Sequence, residues 1–432
     1  MAWNDEFECM SLQEMQKFQL AKLKETVKWV IEKVPFYRKK LGEAGVGVDD
    51  LKSVADVSKL PFTVKNDLRD NYPFGLCAVP INEVVRIHCS SGTTGKPITG
   101  PYTADDIEQW AECMARDLWA TGLRKGDVVQ NAYGMGLFTG GLGFHQGASK
   151  VGCAVVPTSS GMTERQIMLM NDFGTAGLFC TPSYALTIAE RAEEMGMPVK
   201  DMPLRVGCFG AEPWSEAMRD EIQNRMGITA FNTYGLTELG GPGMGFECEG
   251  RSGLHLNEDH FLVETIDPVT LEPVGEGQRG ELVLTAIQRR AMPLIRFRTK
   301  DITTLTRQRC SCGRTLIRMD RITGRTDDML IINGVNVFPS QIESLLSEID
   351  EVVLQYLLVV RKKKHLDELI IRVEGKKEVF DAGVRKVEEI QKKVHEHIKG
   401  VTGLGPAVEL LEPKGLKRSE GKAVRVIDER PK

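Results

Sequence analysis

Apolar residues recur at helical spacing from Leu12 to Lys33, and the pattern predicts a long amphipathic helix, followed by Pro35-Phe36-Tyr37 and then turn-rich stretches around Pro61 and Pro73. From Val84 the rhythm changes. Short apolar runs at 84–89, 127–132, 153–157, 177–180, 204–209 and 228–232 read as strands, and they alternate with helical patterns at 104–121, 163–173, 183–195 and 215–226. This alternation predicts an α/β fold, a mainly parallel sheet flanked by helices on both faces. Thr103 with Asp106 three residues on reads as a capping box, while Gly122, Gly196 and Gly227 stand where helices stop. Residues 261–306 turn to strands with short loops, a β-rich subdomain. Beyond Arg325 a smaller α+β unit is predicted: a strand at 329–332, a helix from Pro339, strands at 352–361 and 368–373, a charged helix over 377–399 and a strand at 407–411. The expected division is an N-terminal domain over 1–326 and a C-terminal domain over 327–432, with Asp327 at the boundary.

Composition narrows the function classes. The chain has 432 residues, 41% hydrophobic and 27% charged, with a formal net charge of −4. It offers no general attraction to nucleic acid or to an anionic membrane, so an anionic ligand has to be bound locally. The N-terminal residues carry acids where a signal peptide has a basic flank, and no apolar run reaches membrane-spanning length. A cytoplasmic protein is expected, its ten cysteines reduced and mostly single in apolar strands. The basic run Arg361, Lys362, Lys363 and Lys364 reads as a solvated hairpin turn, or as a contact for a phosphorylated ligand.

The most informative stretch is Ser90, Ser91, Gly92, Thr93, Thr94, Gly95, Lys96 and Pro97, which follows a short apolar run. Two glycines, several hydroxyls and a lysine suit a loop that wraps a polyphosphate, although a plain turn would favour the same residues. It is not the kinase-type P-loop, which needs four residues between its glycines and a hydroxyl after the lysine. Tyr234, Gly235, Leu236, Thr237 and Glu238 follow another strand, at the kind of sheet edge where ligands bind. They supply an aromatic face, a hydroxyl and a carboxylate suited to magnesium.

These two segments, followed in order by Arg298-Thr299-Lys300-Asp301, Gly324-Arg325-Thr326-Asp327 and Gly421-Lys422, resemble the adenylate-forming enzymes along essentially the whole chain. The stretches 136–148, 321–343 and 418–428 are similar to the phenylacetate–coenzyme A ligase family. The resemblance implies ATP, Mg2+, coenzyme A and an arylacetic acid as ligands. The acid would be joined to AMP with loss of diphosphate and then passed to the coenzyme A thiol; another acid or acceptor, or a non-catalytic nucleotide-binding relative, are the alternatives. It assigns Ser90, Thr93, Thr94 and Lys96 to the β- and γ-phosphates, Glu238 with Thr237 to magnesium, Asp301 to the ribose and Arg325 to ribose or phosphate. Gly210, Ala211 and Glu212 would lie along the adenine, with Tyr234 stacked on it. Lys422, which read locally would be a surface lysine, would bridge carboxylate and α-phosphate, and Asp327 would be the hinge of a mobile C-terminal domain. The acid pocket would involve Tyr133, Phe138, Gly141, Ala211 and Pro242, each of which also suits a packed core. A homodimer is expected by the same analogy.

One cluster departs from the best-known members of that family. Cys310 and Cys312 form a tight pair on a turn, and Cys248 and His255 lie upstream. Three thiols and an imidazole suit a structural zinc, with His260 as the substitute ligand and free cysteines as the plainer reading.

Overall fold

Thr103 caps the helix Ala104–Ala120 by accepting from the Asp106 N–H, and the Asp106 carboxylate accepts in return from Thr103 N at 2.9 Å. Ser11 and Glu14 do the same ahead of the helix Leu12–Lys33. Gly227 ends the helix Glu216–Met226 with φ 68, and Gly122 and Gly196 are also left-handed, so the expected stops are present. These features belong to a computed structural model that describes residues 2–90, 97–326, 328–333, 335–363 and 366–430.

The chain forms two compact units. The first comprises residues up to Cys180, Lys200–Ala211 and Ile228–Arg321. Its first strands form the antiparallel hairpin of β1 (Arg86–Cys89) and β2 (Thr99–Tyr102). A sequence reading puts β1 in the parallel sheet. The link between the two strands is too short for the crossover of a dozen or more residues that parallel pairing requires, so they fold back on each other.

Strands β3 (Val128–Asn131), β4 (Ala154–Val156), β5 (Gly177–Cys180), β6 (Val206–Phe209) and β7 (Thr229–Leu236) form the parallel sheet, in the order β4-β3-β5-β6-β7. At β7 the sheet changes type. It continues antiparallel through β8 (Gly241–Glu247) and β9 (Leu254–Leu256), joined by β10 (Phe261–Ile266), β11 (Arg279–Ala286), β12 (Phe297–Thr306) and β13 (Arg318–Met319). Their order is β7-β8-β9-β13-β12-β11-β10, so the sheet is mixed.

Two elements escape sequence reading because glycine hides them. The helix Thr139–Val151 carries Gly140, Gly141, Gly143 and Gly147, a composition of poor helix propensity. Its reason is packing: a Cβ on Gly147 would stand 2.3 Å from Met114 Cβ. The helix therefore lies directly against Ala104–Ala120, whose Trp110, Met114 and Leu118 share a buried core with Phe144, Phe179, Cys208 and Phe231. Strand β8 is hidden by its own glycines, Gly241, Gly243 and Gly245.

The second unit groups Thr181–Val199 and Glu212–Gly227 with the chain from Ile322 onward. Its four-stranded sheet runs Ala407–Leu411, Leu366–Gly375, Val352–Lys363, Val426–Asp428, the central pair antiparallel and each outer strand parallel to its neighbour. The single helix expected over 377–399 is two, Lys377–Asp381 and Val384–Thr402, separated at left-handed Gly383. Among the described residues no helix is long and apolar enough to cross a membrane.

Substituting Gly147→Val should lower stability by about 1–3 kcal/mol in urea unfolding, because the added methyls have to displace Met114. Gly400→Ala, in a helix with open space where its Cβ would lie, should be neutral or stabilising by about 0.5–1 kcal/mol. Equal midpoints for the two variants would contradict this packing account.

Candidate active site

The end of β7 gathers the first group of expected site residues. Tyr234 and Gly235 lie within the strand rather than after it, since pairing with β8 carries the strand on to Leu236. A Cβ on Gly235 would stand 2.0 Å from Gly241 O, so the two strands approach as closely as only glycine permits. The Tyr234 hydroxyl donates to Asp301 Oδ2 at 2.6 Å, bringing β7 and β12 together. Thr237 Oγ1 lies 3.3 Å from Thr139 Oγ1. Glu238 is buried, and its Oε1 lies 3.4 Å from Lys65 Nζ. A buried carboxylate beside an ammonium is an environment already arranged for a cation.

The flanks of the phosphate-loop candidate close as a hairpin, Ser90 N donating to Ile98 O at 2.9 Å and Ile98 N to Ser90 Oγ at 3.2 Å. Ser91, Gly92, Thr93, Thr94, Gly95 and Lys96 lie outside the described residues, as does Asp327. Arg289, which no motif signalled, joins this hairpin to Glu238. It donates to Glu238 O at 2.8 Å and to Pro101 O at 3.1 Å, with its guanidinium 4.5 Å from the centre of the Tyr102 ring. Lys65 was missed for the same reason: a lysine in a turn-rich segment carries no signal until its partner is known.

The acid-pocket candidates are placed unevenly. Tyr133 is buried and stacks on Phe144 at 4.9 Å. Gly141 O accepts from Asn131 Nδ2 at 2.6 Å, while Phe138, at the start of the Thr139–Val151 helix, is exposed. Ala211 is left-handed with φ 69, a conformation that costs a non-glycine residue on the order of 1–2 kcal/mol; it follows Gly210 at the end of β6. Pro242 O accepts from Trp110 Nε1 at 2.9 Å, and Pro242 lines a cavity with Tyr102, Trp110, Leu239, His260 and Arg289.

In the second unit Arg325 Nε lies 3.4 Å from Asp328 Oδ2, and Lys422 is exposed. The Glu212 carboxylate accepts from Ser183 N and from Ala423 N, each at 2.8 Å.

Cys248, His255, Cys310 and Cys312 converge, their ligand atoms all within 4.8 Å of one another. Cys248 Sγ lies 3.6 Å from Cys310 Sγ, and Cys312 Sγ lies 3.4 Å from His255 Nε2. The sulfur–sulfur separation is too long for a disulfide. Two turns shape the cluster, Arg251 N donating to Cys248 O at 2.9 Å and Gly313 N to Cys310 O at 3.1 Å. His260 stands apart from it, beside Asp259 at 3.4 Å.

Residues 24–288 match the family model of the AMP-binding enzyme, and residues 334–430 match that of the AMP-binding enzyme C-terminal domain. The phenylacetate-coenzyme A ligase of Thermus thermophilus is 47% identical, covering 99% of this chain and 99% of that relative. That of Aromatoleum evansii is 49% identical, covering 98% and 96%. The chain belongs to the phenylacetate-coenzyme A ligase family of AMP-binding enzymes. Among solved structures, 2-hydroxyisobutyryl-CoA ligase in the postadenylation state with 2-HIB-AMP is 31% identical with a TM-score of 0.93, covering 99% of this chain and 92% of that one. The same ligase in the thioesterification state, with 2-HIB-AMP and CoA, is 30% identical at a TM-score of 0.74, with the same coverage.

Within this family member, β7 is braced from behind. The Thr233 hydroxyl lies 2.5 Å from Asp117 Oδ2 in the buried interior. Burial is the main cause that raises Asp117 from 3.8 to about 8, with Glu247 adding to the shift and the Thr233 hydrogen bond opposing it. A carboxyl protonated in the fold contributes stability that is complete below its unfolded pKa and is lost as pH rises through its folded one. The melting temperature should therefore fall between about pH 4 and about pH 8, and Asp117→Asn should reduce that fall. An unaltered slope in the variant would show that Asp117 is ionised in the native state.

Proposed function

We propose that this chain activates phenylacetate or a related arylacetate with ATP and passes the acyl group to coenzyme A. The observation that carries the reading is the hydrogen bond from Tyr234 to Asp301 at 2.6 Å, beside buried Glu238. It sets an aromatic ring near the carboxyl end of β7 against a carboxylate of β12, groups that would suit a stacked base and a ribose at a sheet edge of the kind where α/β folds bind nucleotides. The names of the relatives supply the acid and the acceptor.

In the first half-reaction an oxygen of the acid's carboxylate attacks the α-phosphorus and the bond to diphosphate breaks. In the second, the coenzyme A thiol loses its proton and its sulfur attacks the acyl carbon, displacing AMP. Neither step needs a covalent intermediate on the protein. The demand is electrostatic: negative charge accumulates on phosphoryl oxygens and has to be met by donors already in place. Lys96 and the hydroxyls of Ser90, Thr93 and Thr94 would hold the diphosphate side, with Ser91, Gly92 and Gly95 completing the loop. Glu238, with Thr237 beside it, would hold magnesium, which neutralises phosphoryl charge when bound. Asp301 would accept from the ribose hydroxyls, and Arg325 would steady ribose or phosphate. The backbone at Gly210, Ala211 and Glu212 would follow the adenine, and Tyr133, Phe138, Gly141, Ala211 and Pro242 would frame the acid. Lys422 would bridge carboxylate and α-phosphate, and a turn of the C-terminal domain about Asp327 would withdraw it for the second step.

Replacing Lys422→Ala should depress acid-dependent exchange of diphosphate into ATP by at least about a hundredfold while leaving coenzyme A able to discharge preformed phenylacetyl-adenylate. An assay of AMP release across aryl and aliphatic acids tests the substrate class. Absence of turnover with every arylacetate would remove it.

The cysteine cluster supports a structural zinc. Zinc bonds of about 2.3 Å to sulfur and about 2.0–2.1 Å to nitrogen, at tetrahedral angles, put sulfurs about 3.8 Å apart and sulfur and nitrogen about 3.6 Å apart. The spacings of 3.6 Å and 3.4 Å fit. Cys248, His255, Cys310 and Cys312 would fill all four positions, leaving none for chemistry. Purified protein should carry one zinc per chain, and Cys312→Ser should lose it with a lower melting temperature. Zinc-free protein of unchanged stability, prepared without chelator, would refute the assignment.

A further inference from the structure

The helix Pro182–Glu194 begins at Thr181, whose hydroxyl accepts from Tyr184 N at 3.3 Å. The same hydroxyl donates to Gly421 O at 3.0 Å, and Ser183 Oγ donates to that oxygen at 3.2 Å. On the other side of Lys422, Ala423 N donates to Glu212 Oε2, while Glu212 Oε1 accepts from Ser183 N. The backbone is therefore gripped immediately before and immediately after Lys422, whose side chain is left exposed. Further along the same helix, Glu190 takes the Arg418 guanidinium at 2.9 Å, and that guanidinium also binds buried Glu374 at 2.6 Å.

We propose that Glu212 is a positioning residue for adenylation, clamping the backbone beside Lys422 so that its ammonium is held for the carboxylate and the α-phosphate. The proposal rests on the role given to Lys422. A long lysine side chain loses orientation when its backbone is free, and a carboxylate shared between two N–H donors is a strong restraint, because hydrogen bonds to an ionised acceptor are stronger than neutral ones. The grip acts on backbone atoms, so it sets where Lys422 starts without contacting substrate. Once Lys422 has withdrawn, the grip has no part in the second half-reaction.

The test compares both half-reactions in Glu212→Gln, Ser183→Ala and Lys422→Ala. The carboxamide has a single accepting oxygen where the carboxylate has two, so it leaves one of the two N–H groups facing a donor. E212Q should therefore lower the rate of acid-dependent diphosphate exchange about ten- to hundredfold at unchanged KM for ATP. S183A should give a smaller loss in the same direction. In each preparation the discharge of preformed phenylacetyl-adenylate by coenzyme A should fall far less, which also shows that the protein is folded. Equal losses in the two half-reactions, a raised KM for ATP as the main effect, or no loss at all would overturn the proposal. If K422A shows the split and E212Q does not, the positioning role alone falls. If K422A shows no split, the role of Lys422 fails and the proposal with it.

Discussion

Strand β7 has to pair parallel with β6 on one side and antiparallel with β8 on the other, and much of the first unit follows from that double duty. Parallel partners arrive through crossovers, whereas an antiparallel partner that follows directly in the chain can be reached through a short turn. The chain therefore reverses between Leu236 and Gly241, and it can do so because Gly235 has no side chain to strike Gly241 O. The reversal leaves Tyr234, Thr237 and Glu238 at the carboxyl end of the last parallel strand, where no further crossover covers them. A crevice at such a point is where nucleotides bind in open α/β sheets.

Holding charge there without substrate is costly, and the fold meets the cost with paired groups. Glu238 faces Lys65, and Arg289 reaches both Glu238 O and Pro101 O. Elsewhere in the same unit Arg116 pairs with Asp259, both deeply buried, and Arg296 with the partly buried Glu264. Removing one member of such a pair strands the other in a low dielectric, so these contacts fix geometry more than they add stability. The result suits a reaction whose barrier is lowered by donors that do not reorganise.

The legible part of the sequence was the part written in local rules. The capping box at Thr103 and Asp106, the strand Gly177–Cys180 and the helix Leu12–Lys33 follow from periodicity and cap chemistry, and the structure reproduces them. Periodicity failed where packing set the residue. The helix Thr139–Val151 and strand β8 are rich in glycine because their neighbours approach too closely for side chains, and a propensity scale reads that as disorder. The direction of β1 failed for another reason: a strand's own residues do not state its partner, and the length of the link to β2 decides it.

By itself the sequence determined which chemistries were present: an ordered set of glycine, hydroxyl, carboxylate and lysine motifs matching a family of AMP-binding enzymes, and three cysteines with a histidine. Residue type and order are enough for that, because a carboxylate, a thiol or an ammonium brings its chemistry wherever it is placed. Only the tertiary structure decided which groups meet. It joined Tyr234 to Asp301, chose His255 over His260 for the cysteine cluster, brought Arg289 to Glu238 O, and turned the carboxylate of Glu212 toward Ala423. Those pairings cross long stretches of chain, and hydrogen bonds depend on distance and angle at a scale that sequence separation does not encode.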